Sequence, residues 1–310
     1  MEPMNLLVIM SDEHNARTLG CAGHSLVQTP NLDSLARRGT RFTNAVCNVP
    51  ICVPSRASFL TGRYGHQIAA WDNATPYTGS AANSWGHRLH AEGHHVTTIG
   101  KLHYRNSQDD IGLYDQRIPM HVMHERGDVF GSIRWNIPAT RHQLENVHEA
   151  GPGGSEYVRY DTAIADQACA WLHNEAAAHP QPWCLFVSFT LPHFPLIIPE
   201  KYFSMYPLGE VPMPIQWRPE EWPDHPHVEA FRNARVQTRV EVPSTTATRR
   251  AIAAYLGMCT FMDYQIGRVL GSLADSRQDG HTRVIYTSDH GETMGDYGLW
   301  GKSVMYDSAV

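Results

Sequence analysis

The predicted strands of this chain are buried on both faces, and this constrains the fold more than any other feature. Residues 183–189 are apolar almost throughout, without the alternation of polar and apolar residues that a half-exposed strand shows. Residues 6–10 form a second apolar run, and residues 95–99 and 282–287 are rich in β-branched residues. Helical patterns lie between these strands. We therefore expect an α/β/α sandwich around a mainly parallel, mixed sheet.

Helices and loops are predicted from capping residues, prolines and apolar spacing. Helices are predicted between Thr29 and Gly39, from Pro54 onward, and over residues 82–92, 160–174 and 252–270. Residues 41–46 are predicted to form a further short strand. Residues 106–154, interrupted by prolines and glycines, are interpreted as an excursion that shapes a pocket rim, and their secondary structure is not readable from the sequence. Residues 195–243 are rich in proline and are interpreted as a loop that crosses the surface or covers the site.

Composition restricts the classes of protein to which the chain can belong. Its 310 residues, 42% apolar and 18% charged, are typical of a compact globular protein, and we expect one catalytic domain over residues 1–310. The formal net charge of −6 argues against a general affinity for nucleic acid or anionic membranes. The early apolar run is too short to cross a bilayer, and the six cysteines show no closely spaced metal-type pairs. Without a recognisable leader, we expect a cytoplasmic protein without disulfides.

Polar side chains follow four of the predicted strands. They are Asp12 and Glu13, then Lys101 and His103, then His193, and finally Asp289 and His290. The carboxyl ends of parallel strands meet at one edge of a sheet, where sites in α/β proteins are built. Asp12, Asp289 and His290 offer two carboxylates and an imidazole, which suit a divalent metal. The spacing alone also fits ordinary turns and helix caps, so a metal site and a purely structural role both stay open.

The run from Cys52 to Arg63, with the letters CVPSRASFLTGR, carries the most specific signal. Pro54 suits the first turn of a helix and places Cys52 at or just before a helix N-terminus, where negative charge is stabilised. The structural alternative is a small buried cysteine at a helix start. The run resembles the sulfatase signature, C-x-P-S-R followed by Thr-Gly. This resemblance implies that a formylglycine-generating enzyme oxidises Cys52 to formylglycine, an aldehyde whose hydrate is the nucleophile.

The resemblance extends in order along nearly the whole chain and implies an alkaline-phosphatase-like fold. It implies a Ca²⁺ site, with Mn²⁺ or Mg²⁺ as alternatives. The implied metal ligands are Asp12, Glu13, Asp289, His290 and modified Cys52. Glu13 stands where many relatives have Asp or Gln, so it either binds the metal or lies just outside the ligand set. Asp289 followed by His290, together with Asn73 as a substrate-pocket residue, resembles the choline-sulfatase and phosphonate-monoester-hydrolase branch. Residues 100–103, by contrast, follow the sulfatase pattern.

The mechanism implied by the resemblance assigns a role to each remaining site residue. The metal and Arg56 polarise one hydroxyl of the hydrate, which attacks sulfur, and His193 protonates the leaving alcohol. His103 then removes the proton of the second hydroxyl, so that sulfate is expelled. Lys101 and Lys302 neutralise the sulfate oxygens. A structural role is the alternative for each of these residues. The chain has 19 histidines, most of which must be surface or core residues, and lysine is usually a solvated surface residue.

We therefore expect a sulfatase that hydrolyses a small sulfate monoester to sulfate and an alcohol. Two alternatives stay open: a phosphonate monoester or phosphodiester hydrolase with the same nucleophile, and a non-catalytic relative that binds metal and anion. The sequence ends at Val310, shortly after Lys302, whereas relatives usually continue into a smaller C-terminal subdomain. The resemblance thus leads us to expect a catalytic domain shortened at its C-terminus.

Overall fold

A five-stranded sheet forms the centre of the structure, a computed structural model that describes residues 4–127, 143–226, 228–229 and 243–310. The strands are β1 (Asn5–Asp12), β2 (Val96–Lys101), β3 (Asp115–Met120), β4 (Gly151–Pro152), β5 (Cys184–Pro192), β6 (Ile197–Ile198) and β7 (Thr282–Ser288). The order in the main sheet is β3-β2-β5-β1-β7, and each of its four pairings is parallel. β4 and β6 form a separate short parallel pair.

Both faces of the central strands are buried, as predicted. In β1, Leu7 and Ile9 belong to one apolar cluster and Val8 and Met10 to another. Successive side chains of a strand point to opposite faces, so these two clusters lie on the two sides of the sheet. Each face therefore needs its own cover of helices, and the α/β/α sandwich is confirmed.

The helices divide between the two faces. They are α1 (Pro30–Arg38), α2 (Cys52–Thr61), α3 (Trp85–Ala91), α4 (Gln143–Glu149), α5 (Glu156–Asn174), α6 (Glu200–Phe203) and α7 (Thr245–Asp275). The larger apolar cluster contains Trp171 of α5 and Met262 of α7, both fully buried. The smaller cluster contains Leu60 of α2, and the Trp85 ring of α3 packs against Phe186 of β5. The long amphipathic helix predicted around residues 252–270 is thus the core of one face.

The strand predicted over residues 41–46 is wrong, and residues 106–154 contain regular structure that the sequence did not reveal. Residues 41–46 form no strand, and Phe42 and Val46 within them are 78% and 71% exposed. A β-branched and aromatic composition forms a strand only where a partner strand accepts its hydrogen bonds. Residues 106–154 contain an edge strand, β3, which pairs with β2 through Thr97 and Asp115 although half of its residues are polar. Part of that segment, residues 128–142, lies outside the described residues, as do residues 227 and 230–242 of the second loop.

None of the six cysteines forms a disulfide in the structure. Within the part of the chain that the structure describes, none of the helices combines the length and apolar character that a membrane span requires.

Candidate active site

The four sets of polar side chains meet at one edge of the sheet. In the strand register, Asp12 pairs with Pro192, Ser11 with Ser288 and Gly100 with Ser188. The carboxyl ends of four parallel strands therefore lie at the same level. The side chains that follow them converge because the strands are parallel, not because they are close in sequence.

Helix α2 begins at Cys52 and directs its N-terminus into this edge. Ile51 has an extended backbone and precedes the helix, and Gly62 ends it in the left-handed conformation with a φ of 65°. The Asn73 Oδ1 atom accepts the backbone N–H of Val53 over 3.1 Å, so this distant loop residue caps the first turn. Asn73, predicted for the substrate pocket, thus uses its carbonyl oxygen on the helix that carries Cys52.

The Cys52 side chain is buried among potential metal ligands. Its Sγ atom lies 3.2 Å from His290 Nε2 and 3.7 Å from Asp12 Oδ1. His290 Nε2 is also 3.7 Å from Asp289 Oδ1. The other ring nitrogen of His290, Nδ1, donates to the Gly291 carbonyl over 3.0 Å, which leaves the Nε2 lone pair facing the cluster.

The donor set fits a divalent cation. One ligand atom from each of Asp12, Cys52, Asp289 and His290 lies within 4.8 Å of all the others. Glu13 Oε1 is buried and has no hydrogen-bond partner among the described residues, so this oxygen could serve as a further ligand. Carboxylate oxygens with one imidazole nitrogen suit Ca²⁺, Mn²⁺ or Mg²⁺.

Arg56 forms hydrogen bonds with both aspartates, Asp12 and Asp289. Its Nε donates to Asp289 Oδ2 over 2.8 Å, and its Nη2 donates to Asp12 Oδ2 over 3.0 Å. Its Nη1 donates to the Lys101 carbonyl and to Ser188 Oγ, at 2.7 and 2.9 Å. Every guanidinium nitrogen therefore has an acceptor within the protein. Arg56 fixes the Oδ2 atoms and leaves both Oδ1 atoms turned toward Cys52 and His290.

Two buried lysines balance the acidic groups. Lys101 Nζ lies 2.7 Å from Asp12 Oδ2, and Lys302 Nζ donates to Glu13 Oε2 over 2.9 Å. Burial alone would raise the pKa of Asp12, but the neighbouring cations, Lys101 foremost, outweigh it and hold that pKa well below its usual range. For Glu13 the burial prevails over Lys302, and its pKa lies well above the usual range.

The two histidines proposed for proton transfer are both deeply placed. His193 Nε2 lies 3.4 Å from Glu13 Oε2, while its Nδ1 donates to the Phe194 carbonyl over 2.7 Å. His103 adopts a left-handed backbone with a φ of 61°, and its Nδ1 is buried without a hydrogen-bond partner among the described residues. Burial, followed by nearby lysines, holds the pKa of both rings well below the ordinary value, so both are neutral.

Two residues that support the site were not predicted from the sequence. Ser55 Oγ donates to the Asp289 carbonyl over 2.5 Å, which joins α2 to the end of β7. Glu292 Oε1 accepts the Gly301 N–H over 2.5 Å and so holds the loop that presents Lys302. The available signal was that Ser55 lies within the run from Cys52 to Arg63 and that Glu292 lies two residues after His290. A motif identifies such residues only as neighbours, because their partners are far away in sequence.

Comparison with known proteins identifies the family. The sulfatase family model matches residues 4–310. The choline-sulfatase of Rhizobium meliloti (strain 1021) is 27% identical over 324 residues, covering 99% of this chain and 61% of that protein. The arylsulfatase of Clostridium perfringens (strain 13 / Type A) is 28% identical over 332 residues, covering 100% of this chain and 67% of that protein.

A solved structure shares the fold. The phosphonate monoester hydrolase of Agrobacterium radiobacter superposes with a TM-score of 0.72 at 21% identity, covering 98% of this chain and 66% of that chain. The chain thus spans 61% to 67% of the length of these three proteins. The α/β/α fold that the signature implied is confirmed. Because the family model covers nearly the whole chain, this protein belongs to the sulfatase family.

Proposed function

We propose that this protein hydrolyses a sulfate monoester to sulfate and an alcohol, with a formylglycine derived from Cys52 as the source of the nucleophile. The observation that carries the proposal is the position of Cys52, 3.2 Å from His290 and 3.7 Å from Asp12, at a helix N-terminus in a member of the sulfatase family. The side chain of the signature cysteine thus lies among candidate metal ligands and cationic groups.

The unmodified thiol is poorly suited to this role, which supports the modification. Burial, together with Asp12, raises the pKa of Cys52 to about 12, so the thiol is protonated at neutral pH and is a weak nucleophile. When the cysteine is converted by a formylglycine-generating enzyme, the hydrated aldehyde supplies an oxygen nucleophile and a second hydroxyl for release of sulfate.

A divalent cation, Ca²⁺ as first choice, is part of the proposal. Asp12, Asp289 and His290 would hold it, with Glu13 as a further ligand through Oε1, which has no hydrogen-bond partner in the described part of the chain. The cation supplies positive charge to the oxygens that react. Three carboxylates favour a hard ion, whereas the imidazole also accepts Mn²⁺.

The protein residues around this centre divide the remaining work. Lys101 and Lys302 carry positive charge beside the place where the sulfate oxygens would lie. They would balance the negative charge that spreads over those oxygens during the reaction. His193 Nε2 would hold the proton that passes to the leaving oxygen, and a bound anionic ester favours the protonated ring. His103, neutral and without a partner for its buried Nδ1 among the described residues, would act as the base for product release.

A sulfate ester is favoured over a phosphonate ester as substrate. The two curated relatives are named for sulfate esters and match this chain at 27% and 28% identity. The phosphonate monoester hydrolase matches at 21% identity and supports the fold alone. The buried lysines and the metal ligands would suit either anion.

The test compares protein produced with and without a formylglycine-generating enzyme. We expect mass spectrometry and a hydrazide probe to find an aldehyde at position 52 only in the first preparation. That preparation alone should hydrolyse 4-nitrophenyl sulfate, faster than the matching phenylphosphonate ester. Cys52→Ala should lose both the aldehyde and the activity, whereas Cys169→Ala, distant in the α5 helix, should keep both. Full turnover by Cys52→Ala would refute the proposal, and faster turnover of the phosphonate ester would reassign the substrate.

A further inference from the structure

Asp161, a buried carboxylate of α5 that none of the roles above uses, holds the end of β5. Its two oxygens accept the backbone N–H groups of Thr190 and Leu191, each over 2.8 Å. Asp161 is completely buried, as are its two partners. A buried carboxylate carries a high desolvation cost, so such a group is retained where its hydrogen bonds define a conformation.

These two hydrogen bonds lie where the regular backbone pairing of β5 with its neighbouring strands ends. The pairing of β5 with β2 ends at Ser188, and its pairing with β1 is irregular between Met10 and Asp12. Asp161 thus replaces a neighbouring strand as the hydrogen-bond acceptor for this part of β5. The segment from Thr190 onward depends on α5 for its position.

His193 follows this segment directly. Its backbone N–H donates to the Thr190 carbonyl over 3.2 Å. The position of Thr190 therefore fixes the backbone of His193, from which the imidazole extends. The imidazole itself meets a second residue of α5, because the rings of Tyr157 and His193 pack edge to face with centroids 6.1 Å apart. Tyr157 and Asp161 are four residues apart, which places them on the same face of the helix.

We propose that Asp161 is a positioning residue which, with Tyr157, fixes the orientation of His193 for proton transfer to the leaving oxygen. This inference rests on the proposed function. In that step the sulfur–oxygen bond breaks, the leaving oxygen keeps the bonding electron pair and takes the Nε2 proton, and His193 becomes neutral. A displacement of about 1 Å is enough to impair such a transfer.

The dependence of the rate on the leaving group tests the inference. Asp161→Asn keeps the shape of the side chain but turns an amide N–H₂ toward one of the two backbone N–H groups. An ester with a good leaving group, such as 4-nitrophenyl sulfate, needs little protonation, whereas phenyl sulfate needs more. We expect kcat/KM to fall at least about tenfold more for phenyl sulfate than for 4-nitrophenyl sulfate, within the range of general acid catalysis.

Asp166→Asn is the matched control, because Asp166 lies on the same helix, is 59% exposed and pairs with Arg268 at the surface. It should leave both esters unaffected. Equal losses for the two esters in Asp161→Asn would indicate a merely structural role and overturn the inference, as would no loss at all. Tyr157→Leu provides a second variant should Asp161→Asn not fold. It should show the same selective loss for phenyl sulfate, and equal or absent losses would again overturn the inference.

Crystal structures separate this inference from the proposed function. Should the wild-type protein hydrolyse no sulfate ester, the proposed function fails, and the position of His193 still decides the inference. We expect the 3.4 Å approach of His193 Nε2 to Glu13 Oε2 to be lost in the Asp161→Asn crystal and kept in the Asp166→Asn crystal. An unmoved imidazole in Asp161→Asn would overturn it.

Discussion

Arg56 Nε donates to Asp289 Oδ2 over 2.8 Å, and both side chains are shielded from solvent. The guanidinium reaches Asp12 as well, so one cation neutralises two candidate metal ligands. Removal of one member of a buried ion pair leaves an uncompensated charge, which is costlier than the net contribution of the pair. We therefore expect Arg56 to stabilise the folded structure in addition to its role in the site.

We expect Arg56→Met to lower the free energy of unfolding by roughly 3–5 kcal/mol, as measured by urea denaturation of the metal-free protein. Arg117→Met is the control. Arg117 also bonds two carboxylates, those of Asp115 and Glu175, but at a partly exposed position, and its loss should cost about 1 kcal/mol or less. Equal losses in the two variants would contradict the structural role of Arg56.

The unmodified Cys52 thiol should resist alkylation. Its pKa, raised to about 12, leaves almost no thiolate at pH 8. In metal-free protein from a host without formylglycine-generating activity, we expect iodoacetamide to label Cys52 at least about tenfold more slowly than the less buried Cys169. The rate should rise as the pH approaches the pKa, and urea should abolish the difference. Comparable rates in the folded protein at pH 8 would disprove the assigned environment.

Divalent cations should stabilise the folded chain through the acidic cluster. A ligand that binds only the folded state at about 100 times its dissociation constant adds about 2.7 kcal/mol to the free energy of unfolding. We expect Ca²⁺ to raise the melting temperature of wild-type protein and EDTA to reverse the change. Asp12→Asn should lose the response, while the exposed Asp110→Asn should retain it. A full response in Asp12→Asn would exclude the metal site described here.

Asp161 should make stability depend on pH. Burial raises its pKa from 3.8 to about 7, so the folded state binds this proton more tightly than the unfolded state does. Its contribution is therefore complete below about pH 4 and is lost as the pH rises through about 7. In metal-free protein, the stability of wild type relative to Asp161→Asn should decline by about 4 kcal/mol over that interval. Parallel unfolding curves for the two proteins between pH 4 and 8 would show that the shift is absent.

Gly100 should not accept a side chain. It has a φ of 101°, and a Cβ atom there would lie 2.2 Å from the Ser188 carbonyl oxygen and 2.6 Å from Ile164 Cδ1. We expect Gly100→Ala to lose at least about 2 kcal/mol in the free energy of unfolding, because strain and overlap add. Gly271→Ala, in open space on α7, should gain about 0.5–1 kcal/mol instead. A neutral Gly100→Ala would contradict the packing of α5 against β2.

The positions of most strands and helices could be predicted because their signals are local. The apolar run before Ser11 indicates β1 from its own residues. Pro30 indicates the first turn of α1, although the Thr29 side chain makes no capping hydrogen bond there. Helix α5 nevertheless begins at Glu156, four residues before its predicted start, because the Ser155 side chain accepts the Tyr157 N–H and caps it. Ser155 is therefore a local capping signal that the sequence itself contains.

The sequence by itself determined the alternation of strands and helices, and with it the edge at which Cys52, Asp12 and Asp289 converge. Only the tertiary structure decided how these groups are paired. That Arg56 bonds both aspartates, that Asn73 caps the helix of Cys52 and that Asp161 holds the end of β5 all depend on contacts between distant segments. Local patterns report the hydrogen bonds that a segment makes with itself. The partner of a buried polar side chain is chosen by the packing of the whole chain.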